Sequence, residues 1–189
     1  TGRGFAIASS MENPNTATQL LRVDHKALKG LFRQIEAVDQ RMPDDTSFKD
    51  GVAREIFMLL EIHSTLEEEI FYRALEHHPK TASLVANCLE EHSDVKNLIR
   101  ELRKLSVKDP VFQSKLIDLI TNVESHVEME ESELFPLAEK VIQSKLEDMA
   151  VRMEALKRKI LSSPEYQDAL PMRVQDPHGG EKLRKAGTG

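Results

Sequence analysis

The chain has 189 residues, 40% hydrophobic and 31% charged, a composition that fits one globular domain and disfavours a second. Its 26 basic and 32 acidic residues give a net charge of −6, which argues against nucleic acid and other acidic partners. Cys88 is the only cysteine, so we expect no intrachain disulfide and a reducing, cytoplasmic location, and no apolar run approaches the length of a membrane span.

Apolar residues recur at helical spacing in four long segments, and the two-residue alternation of strands is absent, so we predict an all-α fold. The first helix is predicted to begin with a capping box from Thr16 to Gln19 and to stop near Pro43. Ser47 with Asp50 is the predicted cap of the second helix.

The third helix is predicted to begin after Pro79 and to fade near Ser106. Asp109 followed by Pro110 is a strong start for the fourth, because aspartate caps a helix and proline fits its first turn. The short connections predict an up-down-up-down four-helix bundle.

Pro136 falls inside the fourth apolar pattern, so the helix is predicted to kink or end just past Phe135. Residues 145–161 resume the helical spacing, either as a continuation or as an additional C-terminal helix.

The bundle is predicted to occupy residues 15–162. Residues 1–14 are expected to be disordered or vector-derived, since Met11 is a candidate natural first residue. Residues 163–189 contain three prolines and few apolar residues, so we expect a mobile tail.

The predicted helices carry a repeated set of metal-ligating residue types. Two of them contain the phrase His-x-x-x-Glu, and four residues of an α-helix return to within about 40° of the starting direction, so both side chains project from one face. The other two helices each carry a histidine directly after an acid, Asp24 or Glu91. The candidate ligands are His25 from the first helix, His63 and Glu67 from the second, His92 from the third, and His126 and Glu130 from the fourth.

Either phrase alone is weak, because this composition gives about one such pair by chance. Taken singly, His25 or His92 would be a core imidazole with one hydrogen bond, and Glu67 or Glu130 part of a solvated helix surface. Both glutamates, however, align with a histidine and with apolar residues, and a buried bare carboxylate costs several kcal/mol unless a cation compensates. The acidic neighbours are predicted to be solvated: Glu68, Glu69, Glu128 and Glu131.

Imidazole and carboxylate without thiolate, inside a helical bundle, suit iron or manganese better than a structural zinc ion. If Glu67 and Glu130 bridge two ions, each ion receives two histidine nitrogens and two carboxylate oxygens. A solvent-derived oxo or hydroxo bridge would add a fifth ligand and leave one position open. Dioxygen, peroxide or nitric oxide needs such a position, so a reactive or sensing site is favoured over a structural one.

The order His, His-x-x-x-Glu, His, His-x-x-x-Glu, followed by Leu134-Phe135-Pro136, resembles the hemerythrin-like HHE cation-binding family over residues 15–142. The resemblance implies a non-heme di-iron centre, with manganese the less favoured metal. It implies that Glu67 and Glu130 bridge the irons. It also implies four histidine ligands: His25, His63, His92 and His126.

The sequence departs from the oxygen-carrying hemerythrins at two places. Those proteins have a second histidine four residues after the one on the third helix, where this chain has Lys96. Their fourth-helix acid follows its histidine by five residues, which would select Glu131, whereas helical geometry and the internal repeat favour Glu130. The four-His, two-Glu set is closer to the di-iron domain of bacterial proteins that repair iron-sulfur clusters, although their separate Cys-containing domain has no counterpart in these residues.

The leading hypothesis is a di-iron protein that binds or reacts with small oxidants, with catalase-like peroxide disproportionation as one candidate activity. One alternative is an iron donor or reservoir for cluster repair that meets a protein partner through the tail. Others are an oxygen, nitric oxide or iron sensor without turnover, and a bundle whose polar core holds a fortuitous metal.

Four further residues have open interpretations. Cys88 lies on the same face as His92 and is read as a small core residue rather than a redox reporter. Tyr72 and Phe71 are candidates to border a ligand cavity, with packing as the default, and Glu91 is either an acid that supports a ligand or a solvated side chain. Three other histidines are not predicted to be ligands: His77, His78 and His178.

Overall fold

The computed structural model describes residues 14–41, 44–164 and 166, and the regular structure within these residues is entirely helical. The predicted all-α bundle is therefore confirmed, with residues 146–161 as an additional helix rather than a continuation. The predictions for residues 1–13 and 167–189 lie outside the described residues. The helices are α1 Ala17–Arg41, α2 Thr46–Leu66, α3 Ala82–Leu102, α4 Pro110–Met129, α5 Phe135–Val141 and α6 Leu146–Leu161.

Two of the predicted helix starts are confirmed. At α1, the Thr16 hydroxyl accepts from the Gln19 backbone N–H at 3.4 Å, and the side-chain oxygen Oε1 of Gln19 accepts from the Thr16 backbone N–H at 3.2 Å. This reciprocal pair is a capping box. At α4, Asp109 accepts from the Val111 N–H at 2.8 Å, and Pro110 occupies the first turn.

The predicted cap of α2 was wrong. Asp45 caps this helix, and its carboxylate accepts from the Phe48 N–H at 3.0 Å. Ser47 already lies inside the first turn, two residues after the cap. The residue directly before the helix is the one whose side chain reaches the free N–H groups.

Both α2 and α4 run into a π-helical turn, Glu67–Phe71 after α2 and Glu130–Leu134 after α4. The fourth helix was predicted to kink or end just past Phe135. It does not end there, because α5 continues through Val141, and the irregular turn comes before Phe135, at Glu130–Leu134. Pro136 lies in the first turn of α5, where a missing N–H costs little.

Two apolar clusters fill the bundle, with a polar layer between them. On α1, Leu21 belongs to one cluster and Leu28 to the other, and His25 lies between them. On α3 the same order runs from Cys88 to Val95. Helix α6 packs against α1 and α2. Among the described helices, none has both the length and the apolar character needed to cross a membrane.

Candidate metal centre

The six predicted ligand side chains meet in this polar layer. Each of them is at most 5% exposed, so the layer is closed to bulk water. Both glutamates are the first residues of the π turns, so each irregular turn begins at the layer. The residues that come together are His25, His63, Glu67, His92, His126 and Glu130.

The four imidazoles form two facing pairs. The Nε2 atoms of His25 and His63 are 3.2 Å apart, and those of His92 and His126 are also 3.2 Å apart. The first pair joins α1 to α2 and the second joins α3 to α4. Each pair therefore presents two nitrogen donors at one point, as a metal ion requires.

Glu67 stands between the two imidazole pairs. Its Oε2 atom is 3.2 Å from His63 Nε2 and 3.4 Å from His92 Nε2, and neither of its oxygens has a hydrogen-bond partner among the described residues. Burial and the nearby charge of Glu130 raise the pKa of Glu67 well above its usual value of 4.5. A carboxylate placed this way is costly without a cation beside it.

Glu130 occupies the equivalent place on the other side. Its Oε2 atom is 3.3 Å from His25 Nε2 and 3.5 Å from His126 Nε2. Its Oε1 atom accepts a hydrogen bond of 2.7 Å from the Tyr72 hydroxyl. Burial would raise the pKa of Glu130, but the close contact with His25 and the charge of the nearby His126 outweigh it and lower the pKa to about 2.

Each histidine also faces a carboxylate with its other ring nitrogen. Such an acceptor keeps the Nδ1 proton in place and leaves the Nε2 lone pair directed at the centre of the layer. Three Nδ1 contacts are of hydrogen-bond length: His25 to Glu131 at 2.9 Å, His92 to Glu68 at 2.9 Å and His126 to Glu91 at 2.7 Å. The fourth, His63 to Asp24, is longer at 3.9 Å.

The prediction that Glu68 and Glu131 are solvated side chains was wrong. A π turn has more residues per turn than an α-helix, so successive side chains diverge by less than the usual angle of about 100°. Glu67 and Glu68 can therefore both face the layer. A signal for this was present, because the phrase His-x-x-x-Glu-Glu occurs at both His63 and His126.

Two lysines restrain these outer carboxylates from α1 and α3. Lys96 Nζ is 2.6 Å from Glu68 Oε1, and Lys29 Nζ is 4.0 Å from Glu131 Oε2. Each lysine comes four residues after a histidine of the layer, so it lies one turn further along the same helix.

Asp24 differs from the other outer carboxylates because a cation from α6 holds it. Lys157 Nζ donates to Asp24 Oδ1 at 2.6 Å. Asp24 Oδ2 and His63 Nδ1 are too far apart for a hydrogen bond, and both lack a hydrogen-bond partner among the described residues. Burial lowers the pKa of His63 to about 4, and the charge of Asp24 only partly opposes this effect.

The structure shows where the four residues with open interpretations lie relative to the layer. Tyr72 borders the layer, and burial with the charges of Glu67 and Glu130 raises its pKa, so the phenol stays protonated and donates. Phe71 packs in the apolar cluster with Cys88, whose thiol is fully buried. Glu91 supports His126, as described above. Two histidines contribute no ligand atom to the layer: His77 and His78.

One of the outer carboxylates, Glu131, also lines a cavity at the surface. A cavity of about 510 Å³ between α1 and α4 is lined by Arg22, Lys29 and Glu131, among others. Glu131 therefore lines this cavity and also contacts His25 Nδ1 of the layer, at 2.9 Å.

The residues present fit a metal centre. Unpartnered buried oxygens of Glu67 and Glu130 lie within reach of four imidazole nitrogens. The residues form two sets, and within each set the ligand atoms all lie within 4.8 Å of one another. Glu67 belongs to both sets. Nitrogen and carboxylate donors without thiolate suit iron. The sets are His25, His63, Glu67 and Glu130, and Glu67, His92 and His126.

The family model of the hemerythrin HHE cation binding domain matches residues 16–138, which include all six residues of the layer. A crystal structure of a hemerythrin HHE cation binding domain-containing protein from Mycobacterium kansasii has a similar fold. It superposes with a TM-score of 0.65 at 24% identity and covers 82% of this chain and 96% of that one. At this identity the likeness concerns the fold alone.

Two curated relatives give less specific information. A DNA nickase of Nostoc sp. is 26% identical over 164 residues, which are 83% of this chain but only 44% of the nickase. The chain thus spans less than half the length of that relative. An uncharacterized protein of Mycobacterium tuberculosis is 24% identical over 152 residues, which are 79% of this chain and 90% of that protein.

Proposed function

The chain belongs to the hemerythrin HHE cation-binding family, and from this premise we propose that it is a non-heme di-iron protein that binds or reacts with small oxidants. The observation that carries the proposal is the pair of buried carboxylates without full hydrogen bonding, Glu67 and Glu130, among four imidazoles. Two cations would compensate the buried negative charges, whereas packing against apolar side chains would leave them uncompensated.

One iron would be held by His25 and His63 and the other by His92 and His126, and Glu67 and Glu130 would supply carboxylate oxygens. The short distances within each imidazole pair support this assignment. When bound, two irons would supply two electrons for chemistry with peroxide, dioxygen or nitric oxide.

The chain's own residues have three further roles in this proposal. Three of the outer carboxylates, Glu131, Glu68 and Glu91, hold the Nδ1 proton of a histidine, so the Nε2 atoms of those histidines remain available as metal ligands. The two apolar clusters keep bulk water away from the layer. Glu131, which lies between His25 and the cavity at α1 and α4, stands where a small ligand would enter.

The DNA-cutting activity named for the Nostoc relative is not part of this proposal, because the chain spans 44% of that protein and carries a net charge of −6. We propose a cytoplasmic location, since Cys88 has no second cysteine to pair with.

The test begins with iron loading of the purified full chain under anaerobic conditions. The expected result is two irons per chain. His63→Ala should reduce the iron content strongly, and His77→Ala should leave it unchanged, because the His77 side chain is 91% exposed and outside the layer. A chain that binds no iron, or binds it equally well in both variants, would refute the di-iron proposal.

Adding peroxide and nitric oxide separately to the loaded protein then distinguishes the candidate activities. Rapid oxygen evolution from peroxide would support a catalase-like reaction. A stable adduct without turnover would support a sensor, and transfer of iron to an acceptor protein with a vacant cluster site would support an iron donor.

A further inference from the structure

A groove of about 800 Å³ lies between α2 and α3. Two of its apolar side chains, Met58 and Leu105, are half-buried, so part of their surface is open to an occupant. The other apolar side chains are almost fully buried and form the floor. The apolar lining residues are Ala53, Phe57, Met58, Leu102, Leu105 and Phe112.

Charged side chains line the edges of this groove, and the positive charges are in excess. The basic residues are Arg54, Lys96, Arg100 and Arg103, and the acidic ones are Asp50 and Glu61. Three of the basic residues pair with an acid: Arg54 with Asp50 at 2.8 Å, Arg103 with Glu61 at 2.8 Å and Lys96 with Glu68 at 2.6 Å.

Arg100 is the basic residue of the groove that has no carboxylate partner among the described residues. Its guanidinium donates instead to the Asn97 side chain and to the Lys96 backbone oxygen. The groove therefore suits an occupant that has apolar side chains and a negative charge.

The chain itself leads into the groove. Tyr166 lines it, is half-buried, and packs together with Met58 against the apolar cluster below. The Tyr166 backbone N–H donates to the Ser163 oxygen at 3.1 Å, so a turn directly after α6 places this residue. Residues 167–189 follow Tyr166 and therefore start at the wall of the groove.

The first residues after Tyr166 have the sequence pattern of an extended segment with one apolar face. Leu170, Met172 and Val174 alternate with other residues, and in an extended chain such side chains project to the same side. Pro171 favours an extended backbone at the residue before it. The pattern ends at Val174, since the only apolar side chain among residues 175–182 is that of Pro177.

The length and charge of residues 167–174 also match the groove. Eight extended residues span about 26 Å, and α2 rises about 22 Å between Asp50 and Thr65, which both line the groove. Asp168 comes two residues after Tyr166 and supplies a negative charge near the start of the segment. Arg100 is the groove residue that can pair with it.

We propose that residues 167–174 of this chain occupy the groove between α2 and α3, with the apolar side chains on its floor and Asp168 at its basic edge. For these eight residues the proposal replaces the expectation of a mobile tail. It goes beyond the proposed di-iron function and does not depend on it. Because Lys96 lines the groove and bonds Glu68, which in turn bonds His92, the segment would also cover one of the supports of the polar layer.

Limited digestion of the full chain with trypsin tests whether the segment is docked. Arg173 lies inside the segment, and Lys182 lies beyond it. Trypsin can cut after Arg173 only when the segment leaves the groove, so this cut should be about tenfold slower than the cut after Lys182. Mass spectrometry of the fragments over time measures both rates in one sample.

Leu170→Asp should remove this protection, because a charged side chain would replace an apolar one on the floor of the groove. Cleavage after Arg173 should then be about as fast as cleavage after Lys182. Leu183→Asp is the matched control, since it makes the same change outside the segment and should leave the cut after Arg173 slow. Arg100→Gln removes one exposed charge, so it should speed that cut only about twofold.

A second measurement locates the docked segment. With carbon-13 in the methionine methyl groups, the Met172 methyl of the full chain should show nuclear Overhauser effects to Met58 or Leu105, which line the groove. A mixture of labelled and unlabelled chains tests whether these contacts arise within one chain, and no effect between chains is expected.

Equal rates of cleavage after Arg173 and Lys182 in the wild type would overturn the inference, and so would unchanged slow cleavage in Leu170→Asp. A protected segment whose Met172 does not contact the groove would mean that it docks elsewhere. Contacts between chains would mean that a second copy fills the groove, and either result also refutes the proposal. None of these results concerns iron content, so the di-iron proposal fails or stands by its own test.

Discussion

Replacing Glu67 by Gln should stabilise the metal-free protein and weaken its metal binding. Burial and the charge of Glu130 raise the pKa of Glu67, and neither Glu67 oxygen has a hydrogen-bond partner among the described residues. The unfolded chain ionises this carboxyl above about pH 4.5, whereas the folded, metal-free chain resists ionisation. The stability of the metal-free protein therefore falls as the pH rises from 4.5 through the raised pKa. A neutral amide does not titrate and removes this cost.

The size of the effect follows from two opposing costs. Burying an unpaired carboxylate costs several kcal/mol, and burying an amide with incomplete hydrogen bonding costs about 1–3 kcal/mol. The difference is about 2 kcal/mol in favour of Gln, which raises Tm by about 4–8 °C in a domain of this size. With iron the sign reverses, because a ligand at a thousand times its Kd stabilises the fold by about 4 kcal/mol, and the variant loses that contribution.

Calorimetry at pH 7.5 on chelator-treated and iron-loaded samples measures the change in stability with and without metal. Glu69→Gln is the matched control, because Glu69 lies on the same π turn, is exposed, and pairs only with Arg73 on the surface. Its unfolding free energy should stay within about 0.5 kcal/mol of wild type. A metal-free Glu67→Gln protein less stable than wild type, or one with the wild-type stabilisation by iron, would refute the reasoning.

Glu131→Gln should weaken iron binding about tenfold to hundredfold by equilibrium dialysis, because it alters the acceptor for a ligand Nδ1–H, while the exposed Glu133→Gln should not. Lys157→Met should lower the unfolding free energy by about 1–2 kcal/mol at pH 7, less than for a fully buried pair because Lys157 is partly exposed. Burial raises the pKa of Asp24, but neighbours that include Lys157 lower it further than burial raises it. The stability lost in Lys157→Met should therefore shrink below about pH 4, where Asp24 begins to be protonated. A loss at pH 3 equal to that at pH 7, measured by urea unfolding, would contradict this. The Cys88 thiol is buried, and burial raises its pKa, so it should resist iodoacetamide at pH 8 in the folded protein and react in urea; rapid labelling of the native chain would contradict this.

The helices with local signals could be predicted from the sequence. Thr16 and Gln19, and Asp109 with Pro110, act within a single turn, so the residues themselves decide where these helices begin. The start of α2 was misassigned because polar residues that can cap a helix are crowded around Asp45. Which of them caps depends on the path by which the chain leaves α1, and spacing does not contain that information.

The six candidate ligands could also be predicted, because their signal lies within single helical turns. Two of the acids around them could not. Two His-x-x-x-Glu phrases on amphipathic helices place their side chains on inward faces, and the structure brings these residues together. The π turns were missed, because they cannot be inferred from an α-helical period. The roles of Glu68 and Glu131 could not be predicted for the same reason, since in an α-helix each would point about 100° away from the preceding glutamate.

Lys96 shows how a departure in the sequence becomes a structural role. This position holds the second histidine of the third helix in the oxygen-carrying hemerythrins, so the resemblance alone marks it as a missing ligand. In the structure its ammonium group is 2.6 Å from Glu68, which in turn bonds Nδ1 of His92. Lys29 stands at the equivalent position of the other half and faces Glu131. A lysine therefore stands at the same place in both halves, and on α3 it bonds the acid that holds an imidazole, at the position where those relatives have a second histidine.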